Sequence, residues 1–441
     1  MHRLRGWFWK LHDKSLDPAW LAATTVAVVL LAMLAHRRRA RPLAALSCVF
    51  ALAVVGQFGL ARAEGRGLDA LCERAAFGGH GEFGITASEG VPVSEILADY
   101  ESLAARVSHP FFAVKPPGLL LTYVALDRLA QQIVPPDALE RSPTMGVLPP
   151  RRRQLIELMA WLLPWVAALA VFPIGLVARV LTPTAHWLVT ALLFAMSAPL
   201  ALITLHMDQV VYPGAVAALW FCSLRAGLSE TRAWAWGVAA GQIAWLLGFM
   251  SFGLLPAIAL APCMVAAIAP HRRWRRTMGF LASLLATTAA LWCVFALAFG
   301  YDPVLRYERA LAAHSAWKHW SWDIGAVATA TRINLVEFGW WANPALIVAW
   351  VYGVTAALRR LWQRSADGLD HLVLAVALLI GTLATVGQTF AETARLWLFI
   401  LPLVLWTAVR AIGELPGHTL ALLCGLQWVW TVSLKHAQDF F

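Results

Sequence analysis

Apolar runs, most of them close to the 17–25 residues that cross a bilayer as a helix, alternate along this chain with short polar clusters. They fall near residues 20–35, 43–61, 155–180, 187–205, 210–224, 234–250, 252–269, 278–299, 341–358, 372–386, 396–412 and 419–434, about twelve in all. The pattern predicts an all-α, polytopic transmembrane helical bundle forming one domain over residues 1–441. Two longer polar stretches interrupt it, residues 62–154 and 300–340. Within the first, residues 62–91 are rich in glycine and charge and read as coil. Pro92 suits a turn, and Ser94 is placed to cap a helix running through Val107. Pro116 and Pro117 can open a further helix, because proline is tolerated in a first turn. Beyond them Leu119, Leu120, Tyr123, Leu126, Ala130 and Val134 recur at helical spacing, with Asp127, Arg128, Gln131 and Gln132 on the other face. That amphipathic pattern suits a helix lying on the membrane surface.

Composition agrees with a membrane protein: 60% of the residues are hydrophobic and 14% charged, against about 45–50% and about 25% in soluble domains. The net charge of +10 would suggest nucleic acid in a soluble chain. Here the basic residues sit in short clusters between apolar runs, which is how positive charge fixes topology, and no nucleic-acid motif appears. The clusters at residues 37–41, Arg179, Arg225 and Arg232, 271–276 and 359–364 all fall on one side, the cytoplasm. Residues 62–154, 206–209, 300–340 and 388–395 then face outward. Arg151, Arg152 and Arg153 break the rule and are either contacts for lipid phosphate or a solvated tripeptide. The six cysteines lack paired spacing, and all but Cys72 lie in apolar runs, so neither a disulfide framework nor a zinc site is expected. The first apolar run ends in His36-Arg37-Arg38-Arg39 rather than at a small-residue cleavage site, and is expected to be retained.

The densest chemistry lies between Ser88 and Tyr123. It holds Glu89, Glu95, Asp99-Tyr100-Glu101, His109-Pro110 and Phe112-Ala113-Val114-Lys115-Pro116-Pro117-Gly118. An acidic residue on a short helix in the first outer loop, followed by a Lys-Pro-Pro element and many spans, resembles the GT-C superfamily of membrane glycosyltransferases. That group includes protein O-mannosyltransferases and the aminoarabinose transferase of lipid A. Asp208, in His206-Met207-Asp208-Gln209, is placed like the family's second acid at the outer end of a later span. The chain departs from the family in a longer stretch before Asp99 and in an extra N-terminal helix.

The resemblance implies an inverting transfer of a sugar from a polyprenyl-phosphate carrier to a glycan, lipid or protein acceptor, at the extracytoplasmic face of the plasma (inner) membrane. Such a reaction needs a base for the acceptor hydroxyl and cations where charge builds on the departing phosphate. Asp99 is the first choice for the base, with Glu95 and Glu89 the alternatives. Lys115 and Arg395 are the candidates for the phosphate, with Tyr100, His109, Asp208 and Glu392 as further substrate-binding positions. Each has a plainer alternative: Asp99 as a solvated helix residue, Lys115 snorkelling beside the prolines, Glu392 and Arg395 paired with each other. Asp208 can cap a helix, and His109 can be an ordinary loop histidine. Trp317, Trp320, Trp322, Trp340 and Trp341 can stack on sugars or form an interfacial belt. No cofactor is required by the sequence; a divalent metal is compatible with it, although the spacing of His314 and His319 is poor for one. The expected partners are the lipid-linked donor, membrane lipids and the acceptor. A twelve-helix secondary transporter, a non-catalytic GT-C-like protein and a ligase for finished lipid-linked glycans are the competing functions. The transporter would place ionisable residues at mid-membrane.

Overall fold

Inside a bilayer the backbone must satisfy its own hydrogen bonds, and a long apolar segment does so as a helix. In the computed structural model of this chain, which describes residues 10–11, 15–78, 80–107, 109–182, 186–202, 205–269, 273–318, 320–386, 392–413 and 417–439, nearly everything is helical. Apart from the connecting turns, the described residues add a two-residue antiparallel pairing of Lys10–Leu11 with Gln438–Asp439. Among the described residues, seven helices are long and apolar enough to cross a membrane: Pro18–Arg37, Pro42–Ala63, Pro150–Leu181, Ala233–Met250, Trp274–Phe299, Pro344–Trp362 and Gly368–Thr385. Trp187–Leu202, Phe252–Ile268 and Leu401–Ile412 are shorter apolar helices. The outward faces carry bare hydrophobes, with Leu297 89% and Leu378 73% exposed, as lipid-facing helices do. These features mark a membrane protein.

Small residues and buried polar bridges join the helices, because lipid removes the hydrophobic drive between them. Gly237 and Gly241, four apart, form the seam of Ala233–Met250 against Trp274–Phe299. A Cβ at either would run into the carbonyls of Phe280 and Leu284, and Thr288 Oγ1 donates across the seam to the Gly241 carbonyl at 3.1 Å. The buried Gln57 amide donates to the Pro164 carbonyl at 3.1 Å, linking Pro42–Ala63 to Pro150–Leu169. At one end of the bundle Glu64 takes Arg74 at 2.8 Å and also Lys435. At the opposite end Asp370 takes Arg360 at 2.7 Å and Arg410 at 3.0 Å, tying three helices together.

The long first loop is more ordered than its composition predicts. Residues 62–91, expected as coil, contain the helices Leu68–Phe77 and Gly81–Ser88. Their apolar faces, Leu71, Cys72 and Ala75 in one and Phe83 and Ala87 in the other, are buried. The helix expected from Ser94 to Val107 is two helices, Val93–Ala98 and Tyr100–Val107, broken at Asp99 where φ is −141° and ψ 48°. Gly118–Ile133 does start behind Pro117, but it is packed in the loop rather than laid out with a wholly polar outer face. Asp127, placed by pattern on that face, is fully buried and held by Arg151 at 2.6 Å and Gln131 at 2.7 Å.

The three consecutive arginines are likewise spent inside the protein. Besides Arg151 on Asp127, Arg152 donates to the Ala76 carbonyl at 3.2 Å. Arg153 reaches the carbonyls of Ala138 and Leu148 at 3.0 Å, and those of Gly146 at 3.2 Å and Pro136 at 3.3 Å. They staple the loop onto the start of the third long helix instead of awaiting a lipid phosphate.

Candidate functional site

The end of the bundle that carries this loop holds a cavity of about 280 Å³. One wall follows from proline chemistry. His109 begins the short helix Pro110–Val114, its Nδ1 accepting the Phe111 amide at 3.3 Å. Lys115 precedes Pro116 and is therefore driven out of the helical region. Its φ of −111° and ψ of 148° end the short helix and leave its side chain, 8% exposed, on the cavity with Phe111 and Val114.

A second wall is the helix Pro303–Lys318, whose first amides are capped by Asp302 at 2.9 and 3.0 Å. Tyr307, Ala310, Leu311, His314 and Trp317 form one of its faces and line the cavity. Arg306, 2% exposed, locks this helix to the loop. It donates to Glu101 at 3.2 Å and to the Ala113 carbonyl, and lies 5.7 Å from the centre of the Tyr100 ring.

The third wall begins at Glu392. Its carboxylate accepts Lys318 at 2.7 Å and Arg395 at 2.5 Å. Arg395 also lies 3.5 Å from His206 Nδ1 and 5.7 Å from the centre of the Phe111 ring. Phe111 meets Trp317 edge-on at 5.2 Å. Most of the remaining lining is apolar, including Leu379, Leu383 and Val386 at the end of the membrane helix Gly368–Thr385, with Tyr212, Ser251 and Thr382 its polar members. Cations, aromatic rings and a membrane-helix wall thus share one space.

The charge states follow from burial and neighbours. Burial alone would raise the Glu392 carboxyl, but Arg395 and Lys318 outweigh it and hold the group down to about 2. Burial, with Lys318 and Lys115 nearby, pushes the His314 imidazole down to about 4. It is therefore neutral at pH 7, and its buried Nδ1 has no hydrogen-bond partner among the described residues.

Behind the third wall Glu337 accepts the Thr393 amide at 3.2 Å. Burial pushes its carboxyl from 4.5 up to about 7, against the opposing effect of that hydrogen bond. The native state then keeps a proton that the unfolded chain has already released. Stability from this group is complete below the unfolded value and is lost as pH rises through about 7. Replacing Glu337 with Gln should flatten the fall in unfolding temperature between about pH 5 and about pH 8. An unchanged slope in the variant would remove Glu337 as its cause.

Of the positions picked from sequence, Lys115, Glu392 and Arg395 share this cavity. His109 and Tyr100 support it from behind: one starts the Phe111 helix, and the other is buried with its hydroxyl 3.5 Å from the Phe112 carbonyl. Asp99 is exposed, accepts the Ser102 amide at 3.4 Å and does not line the cavity. Neither do the alternatives: Glu95 pairs with Arg106, and Glu89 is exposed beyond the helix Gly81–Ser88. Asp208 lies in the short helix Met207–Val210, but its side chain falls outside what is described. His319 also falls outside the described residues. Of the five tryptophans weighed for sugar stacking, Trp317 lines the cavity and Trp320, Trp322, Trp340 and Trp341 do not.

His314, Tyr307 and Tyr212 in the lining, and Lys318 on Glu392, are not substrate-binding candidates by sequence. The helical spacing of the Pro303–Lys318 face is the signal that could have found the three on that helix, whereas Tyr212 had none. Among the described residues no group of three or more His, Cys, Asp or Glu side chains is placed to hold a metal ion. Comparison of the chain with protein-family models, with curated proteins and with solved structures finds no match.

Proposed function

We propose that this chain is a GT-C-type membrane glycosyltransferase, which moves a sugar from a polyprenyl-phosphate carrier to an acceptor at the extracytoplasmic face of the plasma membrane. The observation that carries this reading is the lining of the cavity. Lys115 and Arg395 stand beside aromatic rings and the apolar end of a membrane helix, which fits a ligand with an anionic head, a ring and a hydrocarbon chain. The clusters of arginine at the far end of the bundle support the sidedness. On the same reading the three shorter apolar helices, together with Tyr212–Leu228 and Gly417–Ala437, also traverse, giving about twelve crossings.

The chemistry then divides among this chain's own groups. The acceptor oxygen attacks the anomeric carbon as the carbon–oxygen bond to phosphate breaks. Lys115 and Arg395 take up the charge that develops on the departing phosphate, while the acceptor proton passes to a carboxylate. Asp99 is exposed and does not line this space, so the base in this reading is Glu392, the carboxylate that does. Free, Glu392 is too weak a base. A bound phosphate shares Arg395 and Lys318 with it, and losing part of that stabilisation raises its proton affinity.

Membranes carrying wild type, Asp99→Asn and Glu392→Gln, assayed with radiolabelled polyprenyl-phosphate sugars, test this. Asp99→Asn should stay within about threefold of wild type, since an exposed cap is worth little. Glu392→Gln should lose roughly a hundredfold or more. The reverse order would return the base to Asp99, and no turnover of any donor by wild type would end the proposal.

A further inference from the structure

A second cavity, of about 490 Å³, opens where the helix Tyr212–Leu228 turns into Ala233–Met250. Tyr212 lines the first cavity, so the two lie at opposite ends of one helix, about 24 Å apart along its axis. Two arginines face the space, Arg225 and Arg232, and Trp236 walls it. The Arg225 guanidinium lies 5.7 Å from the centre of the Trp236 ring. Leu228, Ala235 and Ala239 supply an apolar floor.

The turn is built rather than loose. Ser229 Oγ accepts the Arg232 amide at 3.0 Å, and the Ser229 amide donates to the Arg225 carbonyl at 3.0 Å. Arg276, at the start of the helix Trp274–Phe299, closes it by donating to the Gly227 carbonyl at 3.0 Å. Arg306, Arg360 and Arg395 elsewhere have carboxylate partners. Arg225 and Arg232 are in no ion pair among the described residues, and the intervening Glu230 is exposed and pairs with neither.

We propose that this turn binds the headgroup of an anionic phospholipid. Two guanidinium groups on a fixed turn suit a phosphodiester. The indole and the apolar floor, which continue along helices that face lipid, suit the start of an acyl chain. The same floor argues against a free, fully hydrated phosphate, which would gain nothing from it. This site is independent of the proposed transfer reaction.

The test uses the full chain in nanodiscs of phosphatidylcholine with or without phosphatidylglycerol, reading retained lipid by native mass spectrometry. Wild type should keep phosphatidylglycerol through delipidation, and Arg225→Gln/Arg232→Gln should hold it about thirtyfold more weakly, as two lost surface cations imply. Arg38→Gln/Arg39→Gln removes the same charge at another turn and should change retention little. Equal loss in both double variants would show diffuse charge attraction and overturn the site. Displacement of the lipid by inorganic phosphate alone would overturn the commitment to a lipid. A photoactivatable phosphatidylglycerol on wild type gives a reading that needs no variant: labelling should concentrate within residues 225–239, and labelling spread evenly over the helices would refute the proposal.

Discussion

Arg395→Gln should lower transfer from a lipid-phosphate donor by about two to three orders of magnitude, the usual consequence of losing one preorganised donor to developing negative charge. Arg395 is anchored by Glu392 at 2.5 Å and lies against the Phe111 ring, so its guanidinium is fixed before substrate arrives. Glutamine keeps a donor amide but neither the charge nor the fork. Lys318 remains on Glu392 at 2.7 Å, so the third wall should persist and the loss should fall on kcat more than on folding. Turnover within threefold of wild type, with a folded variant, would take Arg395 out of the phosphate-binding role.

Arg306→Ala is expected to damage the protein by a different route. This side chain is 2% exposed and joins Glu101, the Ala113 carbonyl and the Tyr100 ring. Truncation strands a carbonyl and leaves Glu101 to Arg309 alone, at 3.1 Å. Breaking such a pair removes about 3 kcal/mol, the lower end of the buried range because Glu101 is partly exposed. The helix carrying His314 and Trp317 would then lose its registration on the segment that ends at Lys115. Unfolding temperature and turnover should fall together. Arg306→Lys should restore little, since one ammonium cannot reach two oxygens and a ring at once. A variant with a wild-type unfolding temperature would contradict the locking role.

What the chain discloses before folding depends on how local the cause is. The membrane helices were legible because a long apolar run in lipid has few other ways to satisfy its backbone. Lys115 was legible for a local reason too: the proline that follows fixes its backbone wherever the segment goes. Glu392 and Arg395, three apart, pair as helical spacing allows, and that same pairing sits in the cavity lining.

The failures have long-range causes. Leu68–Phe77 and Gly81–Ser88 are helical because they pack on distant segments, whereas their glycines and charges suggest coil. Nothing near Arg153 in sequence shows that four carbonyls of the preceding turn fold back onto it. Asp99 stands in a suggestive order of residues, and the break in the helix at that position leaves its side chain exposed and outside the cavity lining. His314 and Trp317 become part of a site only once Arg306 lays their helix over the loop, a contact spanning some two hundred residues of chain.

The central claim is that the cavity between Lys115 and Arg395 receives a lipid-borne phosphate, and it can be measured without turnover. Equilibrium binding of radiolabelled polyprenyl phosphate, lacking any sugar, to the purified protein in nanodiscs should be saturable in wild type. It should be lost in Lys115→Gln/Arg395→Gln while Asp99→Asn binds as wild type does. Equal binding by the double variant, or none by wild type, would contradict the account.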